Sequence, residues 1–182
     1  MKEAVVQNGE RGFSLIEALV AFGILAIILT GFGGSLVSGM RSMNHAYMRN
    51  QATIFADEMA DRIRANIPAA QASAYVFGPA AAGPARVNCE ANQCTAAQMA
   101  QDDLALWYAD LPNRDLVGPA GGGPQAQIAC TLLAPPPLGG APICTRYQIS
   151  VMWDGPRSGV AGTGCSGDPR VDMTCYRVTF QP

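Results

Sequence analysis

A run of 28 residues from Phe13 to Met40 constrains this chain most, because it holds a single charged side chain, Glu17. As a helix it would be about 42 Å long at about 1.5 Å per residue, whereas the hydrocarbon core of a bilayer is about 30 Å thick. The segment is therefore long enough to cross a membrane and to extend beyond it. A carboxylate inside such a span costs roughly 2.5 to 3.5 kcal/mol, so we expect Glu17 to have a cationic partner.

The sequence on either side of this run indicates which side of the membrane the rest of the chain occupies. Lys2 and Arg11 precede the run and Arg41 follows it, so the charge asymmetry is weak. A short N-terminal flank normally stays in the cytoplasm, which predicts a periplasmic or extracellular position for the remainder. The alternative is a conventional signal sequence cleaved after Val37-Ser38-Gly39, which would leave a secreted or membrane-tethered enzyme that starts at Met40.

A helical pattern continues beyond the apolar run. An apolar face recurs at steps of three and four residues, which predicts an amphipathic helix packed on a core: Met48, Ala52, Phe55, Met59, Ile63 and Ile67. A second face is charged or polar: Arg49, Thr53, Asp57, Asp61 and Arg64. Together with the apolar run, these faces predict one helix of about 50 residues that ends at Pro68. Four glycines weaken it and predict a local break: Gly31, Gly33, Gly34 and Gly39.

The remaining residues predict a small mixed head. A capping-box pattern at Thr95 and Gln98 precedes a helix that ends at Pro112. Apolar residues alternate with other residues from 147 to 153 and again from 175 to 180, which predicts two antiparallel strands against the long helix. The predicted fold class is therefore α+β, with a long N-terminal helix packed on a small antiparallel sheet. Segments rich in Ala, Gly and Pro are predicted as loops: residues 69–85, 118–125 and 134–142.

Six cysteines lie after residue 88 and predict oxidised pairs in an exported head. Six cysteines allow many connectivities, and short loops favour the consecutive pairs Cys89 with Cys94, Cys130 with Cys144, and Cys165 with Cys175. Zinc is the alternative, but only the first pair approaches the spacing of a zinc knuckle and the lone His45 is distant in sequence.

Other patterns give no support for catalysis or for nucleic-acid binding. The formal charge is −2 and no run of basic residues could follow a phosphate backbone, so no nucleic-acid partner is expected. A catalytic thiol needs a nearby base, and His45 is the only histidine. We therefore expect no enzyme activity, no metal and no cofactor.

Two further groups of residues could have either a functional or a purely structural role. Four aspartates could form a hydrolytic pair or a calcium site, but their scattered positions favour a solvated face: Asp102, Asp103, Asp110 and Asp115. Trp107 and Trp153 could stack on a sugar or a base, but their apolar neighbours favour a place in the core.

The N-terminal residues resemble a known signal. Gly12-Phe13-Ser14-Leu15-Ile16-Glu17, followed by an apolar stretch, is similar to the class III signal of type IV pilins and type II secretion pseudopilins. The resemblance implies a leader, residues 1–12, cleaved by prepilin peptidase after Gly12, and N-methylation of Phe13. It also implies an assembly half-helix at residues 13–40, a pilin head at residues 41–182, and pairing of Glu17 with the α-amine of a neighbouring subunit. Gly34 stands where major pilins usually carry a helix-breaking proline.

The head most resembles the PilV group of minor pilins through its length, its cysteines, residues 103–107 and residues 149–154. This implies a pilus subunit that packs beside other minor pilins and the major pilin, primes assembly on the inner-membrane platform, and lies at or near the pilus tip. A tip adhesin is a further candidate partner, and motility, adhesion and DNA uptake stay open as roles. A type II secretion pseudopilin is the alternative within the same resemblance.

Overall fold

The computed structural model describes residues 12–79, 83–113, 116, 118, 125–136 and 139–182. Residues 1–11 of the expected leader, Asp115 and most of the loop expected at residues 118–125 lie outside the described residues. The chain divides into two compact units, Met1–Asn44 and His45–Pro182. The second unit holds the head, which has the predicted α+β architecture.

Helix α1 runs without interruption from Leu15 to Ala65. It starts where the carbonyl oxygen of Ser14 accepts the N–H groups of Glu17 and Ala18, at 3.0 and 3.2 Å. The predicted break at the four glycines is wrong, since all four lie within the continuous helix. Each glycine costs about 1 kcal/mol relative to alanine, but unlike proline it keeps its N–H group and so removes no bond from the helix hydrogen-bond ladder.

The predicted end of α1 at Pro68 is three residues late. The helix ends at Ala65, and a short helix α2, Ile67–Gln71, follows with Asn66 as its N-cap. Proline has no N–H to donate to the carbonyl four residues back, but it fits the first turn of a new helix, where no such donor is required. The change of direction leaves Ile67 exposed, so this last member of the predicted apolar face is not part of the core.

The rest of that apolar face forms one wall of the core. Met48, Ala52, Phe55, Met59 and Ile63 are all buried, as predicted. Helix α3, Ala96–Asp110, packs opposite them and continues into a short 3-10 helix, Leu111–Asn113. The capping box is confirmed: Thr95 accepts the N–H of Gln98, whose side chain accepts the N–H of Thr95.

Three antiparallel strands close the core in the order β1–β2–β3. They are β1 Gln125–Ala134, β2 Ile143–Trp153 and β3 Thr174–Phe180. Strand β2 lies in the centre, with Ile149 opposite Ile128 of β1 and Val178 of β3. Tyr147, Ile149 and Val151 belong to the same buried cluster as the apolar face of α1. The predicted packing of strands against the helix is confirmed.

Two regions are more ordered than the sequence indicated. Strand β1 extends beyond the short apolar run at residues 128–133, and its bulges follow Cys130 and Leu132. Part of the loop predicted at residues 69–85 is core, because Tyr75 is fully buried and Phe77 forms a two-way backbone bridge with Ile128. The bridge covers part of the outer edge of β1, which would otherwise present unpaired N–H and C=O groups.

Candidate assembly surface

The N-terminal part of α1 has no protein core of its own. From Gly12 to Tyr47 no described residue is buried, and the apolar side chains of this stretch are open to solvent. Helix α1 contains one segment long and apolar enough to span a membrane by length and composition. Burying apolar area gains about 25 cal/mol per Å². A surface of this kind is stable only when lipid or another protein covers it.

The proposed cleavage and assembly residues lie together at the start of α1. Gly12 and Phe13 precede the first turn, and Phe13 is 77% exposed. Glu17 is an exposed carboxylate in the first turn, where the partial positive charge of the helix N-terminus favours an anion. The geometry leaves the Glu17 carboxylate and the backbone before Phe13 accessible to an enzyme or a neighbouring subunit. Residues 1–11 of the expected leader lie outside the described part of the chain.

A polar network joins the end of α1 to α3. The guanidinium of Arg62 contacts Glu58 and Asp103, each at 3.1 Å. The Tyr75 hydroxyl donates to Asp103 at 2.8 Å and accepts from the amide of Asn66 at 3.2 Å. Burial and the bond to Asp103 raise the pKa of Tyr75, so this phenol stays protonated and remains a donor. The network fixes α3 against α1.

Asp102 is buried and holds a loop. Its carboxylate accepts the N–H groups of Val87, Asn88 and Cys89 at distances of 2.9 to 3.1 Å. Burial opposes its ionisation, but the backbone donors and the Arg86 guanidinium outweigh burial and lower the pKa of Asp102. The interpretation of Asp102 and Asp103 as a solvated face is therefore wrong. Nothing in the helix sequence around Asp102 indicates that a separate loop donates to its carboxylate.

Two more aspartates hold the long connection between β2 and β3. Asp154 accepts the N–H groups of Ser158 and Gly159, and Asp172 accepts those of Gly164 and Ser166. Burial raises the pKa of Asp154, but these donors outweigh it and lower the net value. The bonds from Ser166 and Gly164 lower the pKa of Asp172. Sequence reasoning missed both residues, although the turn residues Gly155 and Pro156 beside Asp154 are a usable signal.

The structure contains three disulfides that brace the same loops. They join the consecutive cysteines: Cys89–Cys94, Cys130–Cys144 and Cys165–Cys175. No free cysteine is found among the described residues. The first and third disulfides lie beside loops that Asp102 and Asp172 hold, so covalent and hydrogen-bonded restraints act on the same segments.

Trp107 and Trp153 are core residues, as predicted. Trp107 is stacked on Phe55 with ring centroids 4.4 Å apart, and its indole N–H donates to the Phe55 carbonyl oxygen at 2.9 Å. Trp153 is 2% exposed. Neither ring is available to stack on a ligand.

Two small depressions lie on the described part of the head. A depression of about 200 Å³ lies beside the Cys165–Cys175 disulfide, and another of about 220 Å³ lies beside Cys144 and Gln181. Both are smaller than the roughly 300 to 1,000 Å³ typical of ligand pockets. Among the described residues, no three His, Cys, Asp or Glu side chains lie close enough together to hold a metal ion.

Comparison with known proteins identifies the N-terminal segment. A family model, the prokaryotic N-terminal methylation motif, matches residues 7–33. The match includes Gly12, Phe13 and Glu17 and extends into the exposed apolar part of α1.

The chain therefore carries the N-terminal segment of a type IV pilin-like or pseudopilin-like protein. No curated protein and no solved structure matches this chain. The motif and the apolar helix fit membrane anchoring and a role with pilus-type assembly machinery.

Proposed function

We propose that this protein is a minor pilin of a type IV pilus, most like the PilV group. Prepilin peptidase removes residues 1–12, Phe13 is N-methylated, and the subunit waits in the inner membrane as a single-pass protein with its head in the periplasm. It then joins other minor pilins and the major pilin above the assembly platform and lies at or near the tip. The head binds neighbours and does not catalyse a reaction.

The observation that carries this proposal is the exposed apolar half of α1 together with its single carboxylate. Lipid covers that surface before assembly, and the helices of neighbouring subunits cover it afterwards. Glu17 then supplies specificity, because an anion among apolar helices is stable only beside a cation. The α-amine created by cleavage before Phe13 is such a cation, and methylation keeps its charge.

The decisive experiment measures the intact mass of the mature protein from membranes and from purified pili. We expect an N-terminus at methylated Phe13. Replacement of Gly12 with a bulky residue should leave a membrane-bound precursor that is longer by residues 1–12. A mature protein that starts at Met40 would instead identify a conventional signal sequence and refute the assignment.

Glu17→Gln tests the assembly step separately from processing. The amide has nearly the same shape and no charge, so the variant should remain in the membrane but be missing from purified pili. Wild-type amounts in pili would show that the pairing of Glu17 is dispensable.

If pili form normally without the protein while secretion of exported proteins fails, the chain acts in type II secretion instead.

A further inference from the structure

The indole N–H of Trp153 is a buried donor without a partner. It finds no acceptor among the described residues, although Trp153 is only 2% exposed. Such unpaired donors are rare in native proteins, because burial removes the water that would otherwise accept the bond. Trp107 shows the usual arrangement, since its indole N–H donates to the Phe55 carbonyl oxygen at 2.9 Å. The free Trp153 donor therefore points to an acceptor from outside the chain.

Two further polar groups converge with this donor beside Gly155. A Cβ atom added to Gly155 would lie 3.3 Å from the Trp153 indole nitrogen. The same point lies 2.9 Å from the Thr174 hydroxyl oxygen and 3.4 Å from the His45 ring. Trp153 and Thr174 are paired neighbours on β2 and β3, whereas His45 belongs to α1 and is exposed. We call these four residues the Gly155 cradle: His45, Trp153, Gly155 and Thr174.

The Gly155 cradle offers hydrogen-bond donors. An indole N–H can only donate, a hydroxyl can donate, and a neutral imidazole carries one N–H. The adjacent carboxylate of Asp154 is engaged elsewhere, because it accepts the N–H groups of Ser158 and Gly159. An anionic oxygen therefore fits these groups better than a metal ion does.

The cradle follows closely after the apolar span in the sequence. Arg41 is the first charged residue after Glu17, and His45 comes four residues later in the continuous helix α1. Four residues cover about 6 Å along the axis at about 1.5 Å per residue, and the headgroup region is roughly 5 to 7.5 Å thick on each side of a bilayer. The acceptors that are abundant in that region are the phosphate oxygens of lipids.

We propose that the Gly155 cradle binds one oxygen of a phosphate group in the headgroup of a membrane phospholipid. The Trp153 indole and the Thr174 hydroxyl donate to this oxygen. The exposed His45 side chain turns aside to admit it and donates to a second oxygen of the same phosphate. The contact holds the head at the membrane surface before assembly. It rests on the proposed function only for the anchoring of α1 in a membrane.

Nuclear magnetic resonance of the indole N–H groups in the full chain tests the site. The protein, with isotope-labelled tryptophan, is dissolved in maltoside micelles, which contain no phosphate, and short-chain phosphatidylglycerol is added. The Trp153 signal should move downfield and saturate. The Trp107 signal should stay fixed, because that N–H is already bonded to a backbone carbonyl oxygen. A Trp153 signal that does not respond to phosphatidylglycerol would overturn the proposal.

Two comparison probes identify the source of the oxygen. Inorganic phosphate and an uncharged glycolipid of the same chain length should each leave the Trp153 signal in place at the concentrations at which phosphatidylglycerol saturates it. An equal shift with inorganic phosphate would identify a soluble anion and refute the lipid source. An equal shift with the glycolipid would show contact without phosphate recognition, which refutes the proposal as well.

Substitutions in the cradle test the geometry. Gly155→Ala fills the cradle, and Thr174→Val removes the hydroxyl at nearly constant shape. Each should weaken the apparent affinity for phosphatidylglycerol by about tenfold or more, as expected when a hydrogen bond to a charged group is lost. Asn50→Ala is the matched control, because Asn50 is exposed on α1 and lies about 140° around the helix from His45. An unchanged Trp107 signal shows that each variant is folded, and unchanged affinity in both cradle variants would refute the site.

Failure here can be told apart from failure of the proposed function. Lipid binding is measured on the unassembled protein, so it does not require entry into pili. A protein that binds phosphatidylglycerol as expected but is absent from pili would count against the minor pilin role alone. A protein that enters pili without any response of Trp153 to the phospholipid would count against the phosphate site alone.

Discussion

Phe55→Ala is the sharpest test of the core. Phe55 is fully buried, stacks on Trp107 at 4.4 Å, and belongs to the cluster that joins α1 to the sheet. Truncating a buried phenylalanine costs roughly 3 to 5 kcal/mol, and a domain this size has a free energy of unfolding of about 5 to 15 kcal/mol. At about 4 °C per kcal/mol, the midpoint should fall by roughly 12 to 20 °C. The backbone bond from the Trp107 indole survives, because its acceptor is a carbonyl oxygen.

The assay is thermal melting of a soluble fragment that begins at Arg41 and lacks the apolar half of α1. This fragment should be monomeric and free of membranes. Asp57→Ala is the matched control, because Asp57 is an exposed residue on the same helix and its substitution should change stability by less than about 0.5 kcal/mol. If Phe55→Ala melts like the parent while Asp57→Ala collapses, the described packing of α1 is wrong.

Three further predictions concern the buried aspartates, the hydrogen bond from Tyr75 to Asp103 and the disulfides of the head. The melting midpoint should fall as the pH drops below about 4. The cause is that Asp102, Asp154 and Asp172 have a lowered pKa in the folded state, so the stability they contribute is lost when they are protonated. Asp154→Asn should make that fall less steep. Tyr75→Phe should cost about 1 to 3 kcal/mol in the same assay, because Asp103 loses a donor, whereas an unchanged midpoint would make the network irrelevant to stability. Alkylation of folded protein without reduction should label none of the six cysteines, and labelling of four or more would contradict the disulfides.

Periodic and local signals were sufficient to predict much of this fold. The buried face of α1, the capping box at Thr95 and the alternation within β2 and β3 each depend on a few neighbouring residues with a fixed geometry. The long helix was predicted as well, but its end was placed at Pro68 instead of Ala65, since a proline can also start a new helix.

The features that were missed depend on contacts between distant segments. Nothing near Asp102 in sequence shows that residues 87–89 donate three N–H groups to it. Tyr75 lies in a stretch rich in alanine, and its burial depends on α1 and α3 closing over it. In the same way β1 is stabilised as a strand by β2 on one side and by Phe77 on the other. Local composition carries no information about such partners.

Buried aspartates fix the backbone path of three loops on the head, largely without using the loops' own side chains. Asp102, Asp154 and Asp172 accept backbone N–H groups and the Ser158 hydroxyl from the loop segments they hold, at residues 87–89, 158–159 and 164–166. The one charged side chain among these contacts is Arg86, whose guanidinium lies 3.4 Å from the Asp102 carboxylate. Any residue other than proline supplies a backbone N–H. Substitution is restricted at Asn88 and Gly159, which have positive φ angles, and at Gly164, where a Cβ would lie 2.8 Å from the Asp172 carboxylate. The disulfide cysteines are fixed as well. Other exposed side chains around these loops can change while the loop backbones keep their path. A head built in this way can change its surface chemistry by point substitution, without redesign of its core.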